Sequence, residues 1–384
     1  MTMEPHVRQR YSQGAQEVVP ALCCPVEYDA NLLALLPREI IERDYGCGDP
    51  SRYVQSGDTV LDLGSGTGKI CYLAAQLVGP TGRVIGIDMN DDMLALARKY
   101  QPEMARKLGG DRVSFHKGRI QDLALDLEAL GVWLAAHPVT DLTSLDAFEQ
   151  KQHEMRRDSP MIPDASVDLV VSNCVLNLVD DAQKTSLIQE IYRVLKPGGR
   201  AAISDIVADA PVPQSLKQIP ELWSGCISGA FEEYEFVKTF RDAGFTGMAF
   251  DKWDGKPWQI VGGIEFRSVT LTAVKQPVAR QQTEGGHAVL YRGPFASIED
   301  DLGNRFPVGE RMAVSREVYE RLGTPPFEKH FVRFAPLRAQ LPTPYLVPPG
   351  TRRPAAATRG NPARVEEIEV ASACGPTGKG GRCC

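Results

Sequence analysis

The chain has 384 residues and a formal net charge of −6, and no Lys/Arg-rich block supplies the basic footprint of a nucleic-acid binder, so the expected partner is a small molecule. Its N-terminus lacks the apolar core of a signal peptide, and no stretch approaches the ~18 apolar residues of a membrane span, which makes a cytoplasmic protein without a membrane partner the expectation. Nine cysteines, at 23, 24, 47, 71, 174, 226, 374, 383 and 384, are an odd set for a disulfide framework and point to thiols that are core, catalytic or metal-binding.

Residues 5 to 19 read as helical, and NLLALLPREIIERDYG (31 to 46) carries apolar residues at near-helical spacing before Gly46-Cys47-Gly48 ends it. From residue 58 strands and helices alternate: DTVLDLG, then GKICYLAAQLVG, RVIGIDM, NDDMLALARKYQ and RVSFHKG. That rhythm predicts an α/β fold with a doubly wound, mostly parallel sheet. A polar, helix-rich insertion (124 to 160) interrupts it before VDLVVSN, the helix DAQKTSLIQEIYRVL and the strand RAAISDIV restore it. The Pro/Gly-punctuated stretch 211 to 231 reads as a cover over the strand ends, and GFTGMAFDKW and IEFRSVTLTAVK as a final antiparallel pair. The expected domains are an N-terminal helical segment with the Cys47 loop (1–57), a nucleotide-type α/β domain (58–210), a cover with closing strands (211–280), a small mixed domain (285–336) and a disordered Pro/Ala-rich linker with a cysteine tail (337–384).

VLDLGSGTG (60 to 68) places glycines at 64, 66 and 68 between a strand and a helix; a dinucleotide fingerprint would need its third glycine at 69, which is Lys69. Gly64-x-Gly66-x-Gly68 preceded by Asp62 resembles motif I of the class I S-adenosylmethionine-dependent methyltransferases. The resemblance implies a Rossmann-like, seven-stranded sheet and S-adenosyl-L-methionine as methyl donor. Gly64, Ser65 and Gly66 would let backbone approach the donor, with the helix N-terminus facing its carboxylate. Asp88, twenty residues beyond Gly68, would accept the ribose hydroxyls, and Met89 would pack on the adenine. Where that family commonly has an Asp for the adenine amino group this chain has Arg119, leaving Ile120 and Gln121 to serve. Asn173, ending the fourth strand, would touch the donor.

The acceptor side is set by cysteines. Any one of them alone is read as a small hydrophobe. Yet DYGCG, GSGTGKICY, VSNCVLNLV and LWSGCISGA, carrying Cys47, Cys71, Cys174 and Cys226, together resemble the arsenite S-adenosylmethionine methyltransferases over about residues 20 to 275. The CCPVEYD segment, the domain beginning HAVLYRGPF and a vicinal-cysteine tail also occur in that family. One departure is Lys69-Ile70, where many members have Arg-Asp. Soft thiolates suit trivalent arsenic, whose lone pair would be the nucleophile. The resemblance implies Cys174 and Cys226 as direct ligands of arsenite or an arsenic–thiol conjugate, with Cys47 or Cys71 as third ligand or as a disulfide-forming pair. It also implies glutathione or thioredoxin as reductant, and a monomer is expected. Two rivals stay open: a quinone- or sterol-type carbon methyltransferase, and a thiol-rich metalloid-binding protein without turnover. The roles of Cys23-Cys24 and of the Cys374/Cys383/Cys384 tail are likewise open between packing and arsenic capture.

Overall fold

Proline and glycine punctuation decides where the first elements stop. In the computed structural model, which describes residues 3–19, 26–276, 282–324, 327–336, 341 and 343–358, helix α1 spans Glu4–Gln16. The stretch expected as one helix over 31 to 46 is two short ones, α2 (Ala30–Leu33) and α3 (Arg38–Glu42). Pro37 separates them: it has no N–H to donate, its own ψ is 138°, and it disfavours helical geometry in the residue before it. Cys23, Cys24 and the three tail cysteines lie outside the described residues.

Strands β1 (Thr59–Leu63), β2 (Arg83–Asp88) and β3 (Val113–Lys117) alternate with helices α4 (Lys69–Leu77) and α5 (Asp91–Leu108). Asn90 caps α5 by accepting from the N–H groups of Asp92 and Met93, and left-handed Gly109 ends it. The expected insertion is a pair of largely exposed helices, α6 (Leu127–Ala136) and α7 (Leu142–Asp158), the second opened by a capping box between Asp141 and Ser144. Then follow β4 (Val167–Asn173), α8 (Lys184–Val194), β5 (Leu195–Ala208), the short helices α9 (Gln214–Lys217) and α10 (Pro220–Ser224) of the cover, β6 (Phe231–Glu232), α11 (Glu233–Asp242), β7 (Phe245–Trp253), β8 (Gln259–Val261) and β9 (Ile264–Lys275).

The sheet runs β3-β2-β1-β4-β5-β9-β7, with β6 beside β5 and β8 beside β9. Pairing is parallel from β3 through β5, and antiparallel where β9 slots between β5 and β7. This is the expected class I methyltransferase architecture, with seven strands on the main path. Period-two alternation sorts the core: Leu61, Leu63 and Val170 pack with α8 and α11 on one face, while Val60, Leu169 and Val171 pack with α4 and α5 on the other. From β1 the chain winds outward to β2 and β3, then returns to lay β4 on the other side. The reversal opens a crevice beyond the carboxyl ends of β1 and β4, where ligands of such sheets bind.

The described residues from 282 onward belong to a second unit. Within it β11 (Ala288–Tyr291) pairs with β14 (Arg311–Ala313) and β15 (Phe331–Phe334), β12 (Ser297–Glu299) with β13 (Arg305–Pro307), and β10 (Thr283–Glu284) with β16 (Thr343–Pro344). Helix α12 (Arg316–Arg321) packs on a small core of Val289, Tyr291, Phe306, Met312 and Phe331. The disordered linker expected from 337 onward is corrected over 343–358. There β16 pairs with β10 in a two-stranded ladder, Arg353 pairs with Glu284 at 2.9 Å and Arg352 with Glu310. Its Pro-rich composition hid those two ion pairs.

Phe236 is fully buried, with ring centroids 5.3 Å from Phe231 and 5.5 Å from Phe240. Phe236→Ala should destabilise the first unit by about 3–5 kcal/mol, read as a lowered urea midpoint with an unchanged slope; an unchanged midpoint would mean that this aromatic cluster does not close the sheet.

Candidate functional site

A cavity of about 400 Å³ occupies the crevice, lined by the glycine loop, the ends of β2 and β4, the turn after β3, and α1. On the β1–β2 side the loop is built for close approach. A Cβ on Gly64 would lie 2.5 Å from Val175, and Gly66, at φ +52°, has nothing within 4 Å of where its Cβ would be. Gly66 therefore leaves room that a ligand can fill. Asp88 accepts from the N–H of Gly66 and of Asn90, each at 2.8 Å, which ties β2 to the loop. Burial raises its carboxyl above the ordinary range while those backbone N–H groups lower it. Ser65 Oγ is buried in the cavity wall without a hydrogen-bond partner among the described residues. Met89, Ile120 and Gln121 line the same cavity, and Gln121 donates to Gln183. Arg119 is turned to Glu4 of α1 at 3.0 Å. The donor-binding residues named from sequence thus surround one cavity, and they fit an adenosyl amino acid.

Asp62, the acid ahead of the loop, is buried in β1, and burial together with the charges of Asp44 and Asp88 pushes it up to about 8. It accepts from the Cys71 thiol at 3.2 Å. Cys71 is fully buried beneath the glycine loop, and that burial drives its thiol well above the ordinary value. It packs with Val60, Tyr72 and Leu94, apart from the other three cysteines.

Those three meet. Cys47, Cys174 and Cys226 share one buried cluster with Ile206 and Ile227 at the ends of β4 and β5. Cys47 and Cys174 are joined as a disulfide, and Cys226 Sγ donates to the Cys174 carbonyl at 3.1 Å. Asn173 lines the cavity, but its amide is spent on the Cys47 loop. Its Oδ1 accepts from the N–H of Cys47 and Gly48 at 2.8 and 3.0 Å, and its Nδ2 donates to Gly48 O and to Tyr28 Oη. Gly46 has to be glycine, since a Cβ there would sit 2.2 Å from that amide. Ser268 and Lys252 hold the Cys47 carbonyl from β9 and β7.

Cys174 and Cys226 have φ of +59° and +61°, and Ala165 is the third non-glycine residue with positive φ among those described. A left-handed backbone at such a residue costs of order 1–2 kcal/mol and has to be over-determined by its surroundings. Here Asp205 supplies much of that restraint. Its carboxylate accepts from Leu176 N and Asn177 Nδ2, and Asn177 also donates to Ile206 O and Cys226 O. One buried side-chain pair therefore ties both cysteine turns to β5. Asp205 lies within 4.8 Å of Cys47 and Cys174, and burial raises it to about 7 against three opposing N–H contacts. Sequence reading passed over Asp205, Asn177 and Tyr28; an Asp inside the apolar run AAISDIV was the available signal for the first. Helix α1 closes the site, with Arg10 donating to Glu221 O and Ser224 Oγ and the Tyr11 hydroxyl 4.0 Å from Cys226 Sγ.

Comparison with known proteins gives one result for each unit. Residues 54–244 match a methyltransferase domain family, and residues 279–363 a domain of unknown function. An arsenite methyltransferase of Aquipseudomonas alcaligenes is 31% identical over 334 residues, covering 83% of this chain and 86% of that protein. The arsenite methyltransferase of Mus musculus is 31% identical over 320 residues, 80% of this chain and 74% of that one. The crystal structure of an arsenic(III) S-adenosylmethionine methyltransferase from Chlamydomonas reinhardtii superposes with a TM-score of 0.55 at 28% identity, covering 84% of this chain and all of that chain.

The Asp62 environment has a pH signature. Its carboxyl, ordinarily near 3.8, is held at about 8, so the folded protein keeps a proton that the unfolded chain releases. The resulting stability is full below the ordinary value and is lost as pH rises through the folded one. Asp62→Asn cannot titrate, so its urea midpoint minus that of the parent should grow with pH across this window; a constant difference would refute the assignment.

Proposed function

The chain belongs to the arsenite methyltransferase family, and we propose that Cys47, Cys174 and Cys226 hold the trivalent arsenic to which it transfers methyl groups from S-adenosylmethionine. The observation that carries the reading is the meeting of three cysteines from distant parts of the chain in one buried cluster at the end of β4, beside the donor cavity. Soft thiolates bind a soft metalloid, and an apolar acceptor such as a quinone would need none of them. The two rivals open at the level of sequence lose their ground here: membership of the family gives the acceptor, and the intact glycine loop with Asp88 gives a place for the donor.

Bound in the cavity, S-adenosylmethionine supplies an electrophilic methyl group on a sulfonium. Asp88 and Ile120 hold the adenosine end, and the backbone of Gly64 and Gly66 the middle of the molecule. Cys174 and Cys226 fix the arsenic facing it, since their turns are locked to β5 through Asn177 and Asp205. The arsenic lone pair would form the new As–C bond while the C–S bonding pair stays with sulfur and turns the sulfonium into a thioether, so no side chain has to act as general base, and the chain's contribution is fixed proximity. Tyr11 and α1 exclude water from the far side.

Joining Cys47 to Cys174 removes two of the three ligands, so the oxidised protein is the closed form and an external thiol, glutathione or thioredoxin, opens it. Cys71, hydrogen-bonded to Asp62 in a separate cluster, is outside the ligand set. Arsenite-dependent methylation, followed by chromatography of arsenic species, tests the reading. Cys174→Ser and Cys226→Ser should abolish both arsenite binding and product, whereas Cys71→Ser should still bind arsenite. Parent protein prepared without reductant should take up no arsenite until a thiol is added; full uptake by the oxidised form would overturn the ligand assignment.

A further inference from the structure

Lys69 opens α4 immediately after the glycine loop, at the positive end of the helix dipole, where a cation is disfavoured. It is nevertheless buried, with Nζ 2.5 Å from Asp44 Oδ2 and 4.1 Å from the centre of the Tyr28 ring, and the two charged side chains are 7% and 11% exposed. Burial works against the Lys69 ammonium, but Asp44 and Tyr28 outweigh it, so the lysine holds its proton more tightly than usual. A buried ion pair of this kind rarely returns its desolvation as net stability. It fixes a charge in a chosen place.

That place is the cavity wall. Asp44 lines the donor cavity beside Asp62 and Ile70, and Lys69 is its one ion-pair partner among the described residues, with Oδ2 buried and accepting no well-aligned hydrogen bond. The strand order locates it further. Asp88 and Ile120 mark the adenosine end at β2 and β3, and Cys174 marks the acceptor end at β4, so β1 and the Asp44 loop beside it border the middle. A donor whose adenosine lies at β2 and β3 and whose methyl faces Cys174 would turn its amino-acid end, which carries an ammonium, to this border. Ile70 offers that ammonium no polar atom, and Asp62 is engaged by Cys71.

We propose that Asp44 is a donor-binding residue whose carboxylate takes the α-ammonium of the S-adenosylmethionine amino-acid end, with Lys69 as the positioning residue that holds Asp44 in the cavity wall. Asp62, pushed up to about 8 by burial and bonded to the Cys71 thiol, is poorly suited to take an ammonium at neutral pH.

The proposal rests on the donor reading above, and its test separates the two. Calorimetry on the full chain compares S-adenosylhomocysteine, which keeps the amino-acid end, with 5′-methylthioadenosine, which lacks it. The double variant Asp44→Asn with Lys69→Met removes both charges together, so no unpaired ion is left buried. It should bind S-adenosylhomocysteine about ten- to a hundredfold more weakly, the range of one charge-assisted hydrogen bond, and leave 5′-methylthioadenosine unchanged. Equal affinity of parent and variant for S-adenosylhomocysteine would overturn the Asp44 role and leave the donor reading standing, whereas failure of both probes to bind the parent would overturn both. A measurement on unaltered protein does not depend on the variant folding. Water-soluble carbodiimide with bound S-adenosylhomocysteine should form an amide between its amine and Asp44, found in the tryptic peptide 44–52; an adduct at Asp62 or Asp88 instead overturns the proposal.

Discussion

Both ends of the Asn173 amide are bonded to the loop that carries Cys47, and the acceptor site depends on that clamp. The oxygen takes two backbone N–H groups and the nitrogen gives to Gly48 O and Tyr28 Oη, so nearly all the hydrogen-bonding capacity of one side chain goes into fixing a segment more than a hundred residues away. Because Asn173 ends β4, the Cys47 loop is referenced to the most rigid part of the sheet. Ser268 and Lys252 hold the same loop from β9 and β7, so three strands fix the position of one thiol. A cysteine on an unrestrained loop could reach arsenic only by ordering itself at the moment of binding, at a cost in conformational entropy.

Facing that loop are two cysteines in left-handed backbone. The energy stored at Cys174 and Cys226 is offset by the buried Asn177–Asp205 pair, which bonds the Cys174 turn, the Cys226 carbonyl and the edge of β5 at once. Strain of this kind persists where the surroundings over-determine it. The physical effect is to point two side chains into one small volume that ordinary extended or helical backbone at those positions would not share. Asp205 is buried and accepts three N–H contacts, and these dipoles, with a smaller contribution from Lys184, oppose the rise that burial imposes on its carboxyl.

The donor side is arranged differently. It uses backbone more than side chains: left-handed Gly64 and Gly66, the start of α4, and β2 tied to the loop through Asp88. Charge is managed in layers, with Asp62 protonated under the loop by burial and Asp44 kept at the wall by Lys69. Helix α1 bridges the two sides, since Asn90 donates to Arg8 O and Ser12 Oγ near the donor end while Arg10 reaches Glu221 and Ser224 beside Cys226. One helix thus closes over both substrates.

The sequence alone determined the parallel α/β sheet, its glycine loop with Asp88, the inserted helices and the four cysteines of interest, because period-two and helical patterning, glycine spacing and residue chemistry are local properties. Pro37 also broke a predicted helix by a local rule that could have been applied at that level. What only the tertiary structure decided is which cysteines meet. Cys71 sits three residues past Gly68, and its helix turns it toward Asp62, whereas Cys47 is brought to Cys174 across 127 residues of sequence by the Asn173 clamp. The same holds for the order of residues 343–358, fixed by ion pairs to Glu284 and Glu310, and for the Asp44–Lys69 pair. Contacts between residues far apart in the chain depend on how elements pack, and no window of local sequence carries that information.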